Sequence, residues 1–141
     1  MSRVVLRLCG VVLVLSLSFA SAVSQDLPLP KEWETVYACF FGINLDYVAG
    51  TADQESALTM GHMQYQLRLQ ADGKAVAAGG IGQGQGADMI IGLTIIRAGS
   101  LAEAQAIAND DPAVKAGRLQ AWVREWRVPS GKLPPPPQPA E

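Results

Sequence analysis

The chain contains a single histidine, and it lies on the apolar side of a predicted helix. Leu58, His62, Tyr65 and Leu69 recur at helical spacing, which predicts one shared face on a helix over 53–71. An imidazole titrates close to neutral pH, so it can accept and return a proton during a reaction. A core histidine can also satisfy its ring nitrogens locally, and Tyr65 can simply be packing. His62 and Tyr65 are therefore site candidates, with a structural role as the alternative for each.

Asp111 is the second candidate for a chemical role, and it directly precedes Pro112. Aspartate followed by proline is typical of a helix start, where the carboxylate caps free N–H groups and proline fits the first turn. We predict one short helical turn here, ended by Gly117. The carboxylate can cap this turn and still face a cleft. Both readings of Asp111, a cap alone and a cap that also lines a site, stay open.

Cysteine and glycine patterns exclude several other kinds of site. Outside the first 24 residues, which include Cys9, the chain has only Cys39, so an internal disulfide is excluded. Cys39 alternates with apolar residues in a predicted strand, which favours a buried, inert thiol. One histidine and one such cysteine are too few for a zinc site. The run Gly82–Gly86 lacks the lysine and the following helix of a phosphate-binding loop. We expect neither a metal nor a cofactor.

Residues 1–24 have the features of a cleavable signal peptide. Arg3 and Arg7 form a short basic region, an apolar stretch runs from Leu8 to Ala22, and small residues follow that suit a signal peptidase. The apolar stretch is shorter than the roughly 20 residues that a membrane-spanning helix needs, which favours cleavage over anchoring. We expect a periplasmic or secreted protein with no membrane association after cleavage.

The remaining composition indicates one small domain between two flexible ends. Cleavage leaves nine basic residues against thirteen acidic ones, dispersed and without a basic patch, which argues against nucleic acid as a partner. Residues 25–32 contain two prolines and predict an extended linker. Residues 129–141 contain four consecutive prolines and predict a disordered, solvated tail. The domain is then 33–128, which is enough chain for one core.

Strand and helix patterns alternate along this domain. Aromatic and β-branched residues predict the strands, and capping boxes at Thr51 and Ser100 predict helix starts. The predicted strands are 33–43, 74–80, 89–97 and 118–128, and the predicted helices are 53–71, 101–109 and the short turn 113–116. The order β-α-β-β-α-β predicts an α+β fold of the ferredoxin-like type, an antiparallel four-stranded sheet with the helices on one face.

The predicted strands are apolar on both faces, although the helices can cover only one of them. A second, exposed apolar face of this size would be a liability, so we predict a homodimer in which two sheets pack together. Tyr37, Phe41, Trp122 and Trp126 are predicted to form the interface, with Cys39 on the same face.

With these residues placed, the domain resembles the YCII-related family. The most specific match is D-P-A-V-K-A-G over Asp111–Gly117, followed by a strand that closes with Trp126 and Val128. Further matches lie at 62–65, 72–79 and 100–104. The chain departs from the family pattern after Gly79, where members usually carry a proline, and in its export signal.

The resemblance implies both an assembly and a site. Family members are small dimeric α/β-barrel proteins, and they are thought to use a helical histidine and the aspartate of the D-P motif as a polar pair in a cleft. By position these are His62 and Asp111, which gives them a catalytic role here; Tyr65, one turn after His62, would bind ligand in the same cleft. We expect an exported protein that binds an unknown small molecule, as an enzyme using this pair or as a non-catalytic ligand-binding or structural dimer.

Overall fold

The computed structural model describes residues 28–82 and 89–137. The predicted signal peptide, the start of the linker, residues 83–86 of the glycine-rich run and the last residues of the tail lie outside these ranges. The described elements are β1 (Trp33–Ile43), α1 (Ala52–Ala71), β2 (Ala75–Gly80), β3 (Ile90–Ile96), α2 (Leu101–Asn109), α3 (Pro112–Lys115) and β4 (Leu119–Pro129). Within these ranges, no helix combines the length and apolarity needed to cross a lipid bilayer.

The four strands form one antiparallel sheet in the order β2-β3-β1-β4. β3 is inserted between β1 and β2, which are joined by α1, so the first half of the chain is a split βαβ unit. The predicted ferredoxin-like α+β fold is confirmed. The edges of the sheet are β2 and β4, and helix α2 packs on the β1–β4 half.

Both predicted helix starts carry the caps that the sequence indicates. The Thr51 side chain accepts a hydrogen bond from the Gln54 amide, and the Gln54 side chain accepts one from the Thr51 amide. The Ser100 hydroxyl accepts from the Glu103 amide, while the Glu103 carboxylate reaches back to the amide of Gly99. Each cap satisfies N–H groups that the first helical turn leaves free, and a cap of this kind contributes about 1 kcal/mol.

The main core lies between the sheet and α2, and its composition corrects one prediction. Tyr37, Cys39 and Phe41 are buried there, against the small side chains of Ala104 and Ala108. The prediction that these β1 residues face a dimer partner is therefore wrong. Strand alternation shows only that these three β1 residues share a face of the sheet. The alanines of α2 leave the space that the larger side chains of β1 fill.

The opposite side of the sheet, called the open face below, carries the two tryptophans. Strand pairing places Phe40 beside Trp122 and Val36 beside Trp126, so both indoles lie on the face away from the helices. They are 38% and 44% exposed. A smaller cluster of Val36, Ala38 and Ile95 is buried on the same face.

The first part of the proline-rich tail covers that smaller cluster. Leu133 packs against it, and the Arg97 guanidinium donates a hydrogen bond to the carbonyl of Pro134. Pro136 lies in contact distance of Gly73, at the turn between α1 and β2. Leu133 is thus partly buried on the open face, whereas residues 134–137 are exposed.

Candidate functional site

A cavity of about 510 Å³ lies between helix α1 and the helix-covered face of the sheet. Helix α1 contributes His62, Gln66 and Leu67 to its wall, while β1 and β3 contribute Phe41 and Thr94. On α1 only Gln66 and Leu69 are buried, so most of the helix does not pack closely against its neighbours. It is open on one side, so a small molecule can enter it from solvent.

The structure brings His62 and Asp111 together at the inner wall of this cavity. Nδ1 of His62 lies 2.7 Å from Oδ2 of Asp111. The Asp111 side chain is fully buried, whereas that of His62 is 26% exposed and lines the cavity. The rings of His62 and Phe41 make an edge-to-face contact with their centroids 5.3 Å apart. This contact further fixes the plane of the imidazole.

Asp111 is an ionised group held by a complete set of donors. Burial alone would raise the pKa of its carboxyl, but the hydrogen bond and charge of His62, together with hydrogen bonds from Gln66 and the Ala113 amide, outweigh burial and lower it. The carboxylate therefore acts only as an acceptor at neutral pH, and the ring nitrogen that faces it must carry the proton. When the imidazole is neutral, its lone pair is therefore on Nε2, for which the described residues provide no hydrogen-bond partner.

Two residues of this cluster were not among the sequence candidates. The Gln66 amide donates to Oδ2 of Asp111 at 2.8 Å, and its oxygen accepts a hydrogen bond from the Thr94 hydroxyl, also at 2.8 Å. A signal was present in each case: Gln66 follows His62 by one helical turn, and Thr94 is the single polar residue inside an apolar strand. Among the described residues, no buried side-chain nitrogen or oxygen lacks a partner.

Asp111 also has the capping role that its motif predicts. Its Oδ1 accepts a hydrogen bond from the Ala113 amide at 2.9 Å, so the side chain is the N-cap of α3. One oxygen thus caps the helix, while the other accepts from His62 and Gln66. Asp111 is therefore more than a cap: it also contacts His62, although its own side chain is not part of the described cavity lining.

The third candidate, Tyr65, and the thiol of Cys39 lie away from the cavity wall. The Tyr65 hydroxyl donates to the carbonyl of Ile107 at 2.8 Å, so the ring bridges α1 and α2, and Tyr65 is not part of the described lining. The structure thus gives Tyr65 a packing contact and no contact with the cavity. Cys39 is fully buried, and burial, aided by the nearby Asp111 charge, raises the pKa of its thiol to about 12. Such a thiol is protonated and unreactive at neutral pH.

A second polar cluster lies at the edge of the cavity. The Arg118 guanidinium donates from Nη1 to the Thr59 hydroxyl at 2.7 Å and to the Glu55 carbonyl at 3.0 Å, and its Nε lies 3.3 Å from the Glu55 carboxylate. That carboxylate also accepts from Tyr47 and from the Gly50 amide. These contacts tie the loop after β1 and the first turns of α1 to the start of β4.

Chemically, this arrangement suits proton transfer to and from a molecule in the cavity. The imidazole is oriented by a buried carboxylate, is partly exposed and lines the cavity. Across residues 28–82 and 89–137, no three histidine, cysteine or acidic side chains are grouped so that they could hold a metal ion.

Fold and site together define a small ferredoxin-like α+β protein with a histidine–aspartate pair beside a helix–sheet cavity. Residues 37–127 match the YCII-related domain, and the chain belongs to that family. No match was found among curated proteins. Among solved structures, the chain is similar to 5-chloro-2-hydroxyhydroquinone dehydrochlorinase from Burkholderia phenoliruptrix AC1100, solved in complex with 2,5-dihydroxybenzoquinone. The two are 24% identical with a TM-score of 0.46, over 64% of this chain and 92% of that one.

Proposed function

We propose that this protein is exported, binds a small molecule in the cavity under α1, and transfers a proton to or from it through His62. The observation that carries the proposal is the hydrogen bond between His62 and the buried Asp111 carboxylate, in a ring that lines an open cavity. A purely structural histidine would be sealed in the core or bonded only to backbone groups. His62 has neither surrounding.

The proposed step is general base catalysis. The Nε2 lone pair takes a proton from an acidic C–H or O–H group of the ligand, and the electron pair of that bond stays on the ligand as an enolate or oxyanion. The imidazolium that forms is stabilised by the Asp111 carboxylate, and it can return the proton at another atom. Gln66 and Thr94 keep the carboxylate in place during both transfers.

Hydrogen–deuterium exchange tests this step without a known substrate. The protein is incubated in D₂O with a panel of enolisable probes, 1,3-diketones and 2-oxo acids, and deuterium incorporation is followed by NMR. We expect faster exchange of at least one probe, an effect that His62→Gln abolishes, since general acid–base groups contribute about 10²–10⁴-fold. Lys115→Gln, at an exposed ion pair with Asp110, is the matched control and should keep the wild-type rate.

The alternative is a ligand-binding protein without catalysis. It uses the same cavity, so probe binding with no exchange above buffer would support it and would contradict the proton-transfer step. Equal exchange rates in the wild type and in His62→Gln would also contradict that step.

Export is proposed from the sequence of residues 1–24. Full-length protein expressed with its N-terminal segment in a Gram-negative host should be recovered from the periplasm or medium, starting at Val23 or Gln25. N-terminal sequencing measures this directly. Recovery of exported material that still begins at Met1 would contradict cleavage.

We also propose a homodimer formed through the open face. Trp122 and Trp126 supply exposed aromatic surface there, and Phe40 and Leu93 are half-buried beside them. Tyr37 and Phe41 take no part, because they lie in the core on the opposite face.

A further inference from the structure

The cavity carries one permanently charged side chain among its described lining residues, and it is a cation. Arg118 lines the cavity. The carboxylates of the two polar clusters, Glu55 and Asp111, do not line it. The rest of the described wall is apolar or neutral, including Phe41 and Met63. Among the described lining residues, an anion can be attracted only by Arg118, whose Nε is paired with the Glu55 carboxylate outside the lining.

The guanidinium of Arg118 is fixed before any ligand arrives. Its Nε and Nη1 make three contacts with Glu55 and Thr59, and its side chain is 32% exposed. These contacts occupy Nε and Nη1, and within the described residues Nη2 makes no hydrogen bond. A guanidinium held in this way loses little freedom when it binds a carboxylate or phenolate oxygen.

The position of Arg118 relative to His62 sets the shape of the ligand. Arg118 contacts Thr59, which precedes His62 by three residues on α1, or about 4.5 Å of helical rise. Both side chains line the same cavity, and so do Phe41 on β1 and Met63 on α1. A flat apolar body can therefore lie in the cavity with its anionic end on Arg118 and its reacting atom near His62.

We infer that Arg118 is an anion-binding, specificity-determining residue, and that the cavity selects small aromatic or apolar carboxylates and phenolates over neutral molecules of the same shape. This inference rests on the proposed function in taking the cavity as the ligand site, but it does not depend on proton transfer by His62.

The test compares 1-naphthoate with 1-naphthamide, which have the same ring and differ in charge. Dissociation constants are measured by ligand-detected NMR on the full mature protein. We expect naphthoate to bind about tenfold more tightly. A charge-assisted hydrogen bond stabilises a complex by about 1.4 kcal/mol, which corresponds to an about tenfold lower dissociation constant. Arg118→Gln should bring the ratio near one, and Arg118→Lys should keep part of it. Arg68→Gln, an exposed cation on α1 outside the cavity lining, should keep the wild-type ratio.

A measurement on the wild type guards against misfolding of the variants. At saturation, the guanidinium N–H signals of Arg118 should shift further with naphthoate than with naphthamide. Equal affinity for the two probes, binding of neither, or an unchanged ratio in a folded Arg118→Gln protein overturns the inference. His62→Gln should keep the preference for the anionic probe. A wild-type protein that selects naphthoate but catalyses no deuterium exchange would refute the proton-transfer proposal and leave this inference standing.

Discussion

At the scale of single residues, the site depends on how one buried carboxylate is satisfied. Asp111 accepts hydrogen bonds from a ring nitrogen, a side-chain amide and a backbone amide, and it has no solvent exposure. An ionised group in such a position is tolerated only when each lone pair has a donor. The same donors hold His62 in one tautomer. The Asp111 side chain therefore caps α3, carries the buried charge and orients the candidate base.

Replacing Asp111 with asparagine should separate these roles. The amide oxygen can still accept from Ala113 and cap α3, but its NH₂ group would face the donors of His62 and Gln66. We expect the free energy of unfolding to fall by about 1–3 kcal/mol, the cost of leaving buried donors unpaired. Urea denaturation measures it, with Asp110→Asn as the exposed neighbour control. Equal stability of the two variants would show that the buried hydrogen bonds of Asp111 contribute nothing.

The lowered pKa of Asp111 predicts an acid dependence with a defined sign. The carboxyl of the unfolded chain titrates near the ordinary value of about 3.9, above the folded value, so the unfolded state binds more protons in that window. The stabilisation is present above about pH 4 and is lost as the pH falls through the folded pKa. The difference in unfolding free energy between wild type and Asp111→Asn should therefore shrink between about pH 5 and pH 3. A difference that stays constant over this range would contradict the assignment.

At the scale of elements, α1 decides where the candidate base lies. It carries His62 and Gln66, and its first turns are tied to the loop after β1 and to β4 through Glu55, Thr59 and Arg118. The helix packs on the sheet over only part of its length and through polar contacts, and the cavity lies beneath it. The capping box at Thr51 is therefore part of what positions the site.

Thr51→Ala should weaken α1 without touching the cavity. The loss of the Gln54 amide's partner is expected to lower the free energy of unfolding by about 1 kcal/mol. Ser56→Ala, at an exposed interior position of the same helix, should be neutral or slightly stabilising, because alanine has the higher helix propensity. Chemical denaturation of both variants measures the effect. A Thr51→Ala protein as stable as Ser56→Ala would show that the cap does not contribute.

At the scale of the whole molecule, the proposed homodimer depends on the open face. The tail covers the cluster around Val36 and Ile95, while Trp122 and Trp126 stay exposed. The Trp122 ring lies directly over Gly42, where an added Cβ would come within 2.5 Å of it. Its position is set by the backbone of β1, so an ordered aromatic surface is available to a second copy.

Trp122→Asp should disrupt the proposed homodimer. Each buried aromatic stabilises an interface by about 1.5–3 kcal/mol, and a carboxylate in its place would be desolvated. We expect sedimentation at micromolar concentration to give a wild-type dimer and a monomeric variant. Arg127→Asp places the same acid on the same strand but on the other face, and it should remain dimeric. A wild-type monomer under these conditions would contradict the proposal.

The sequence alone determined the secondary structure and its order, because that information is local. Capping residues at Thr51, Ser100 and Asp111 mark the helix starts, and runs of β-branched and aromatic residues mark the strands. The order β-α-β-β-α-β then leaves few topologies, and the observed sheet is the expected one. His62 and Asp111 were also reachable, through the resemblance of their motifs to one family.

Only the tertiary structure decided which face of each strand is covered and which side chains complete the site. Alternation along β1 shows that Tyr37 and Phe41 share a face, but only packing against α2 shows that this face is the core. Several contacts of the site join residues that are far apart in sequence. Gln66 on α1 binds Asp111 at the start of α3, Thr94 on β3 binds Gln66, and Arg118 binds Thr59 on α1. Such contacts depend on how elements close onto one another, and no local pattern encodes that distance.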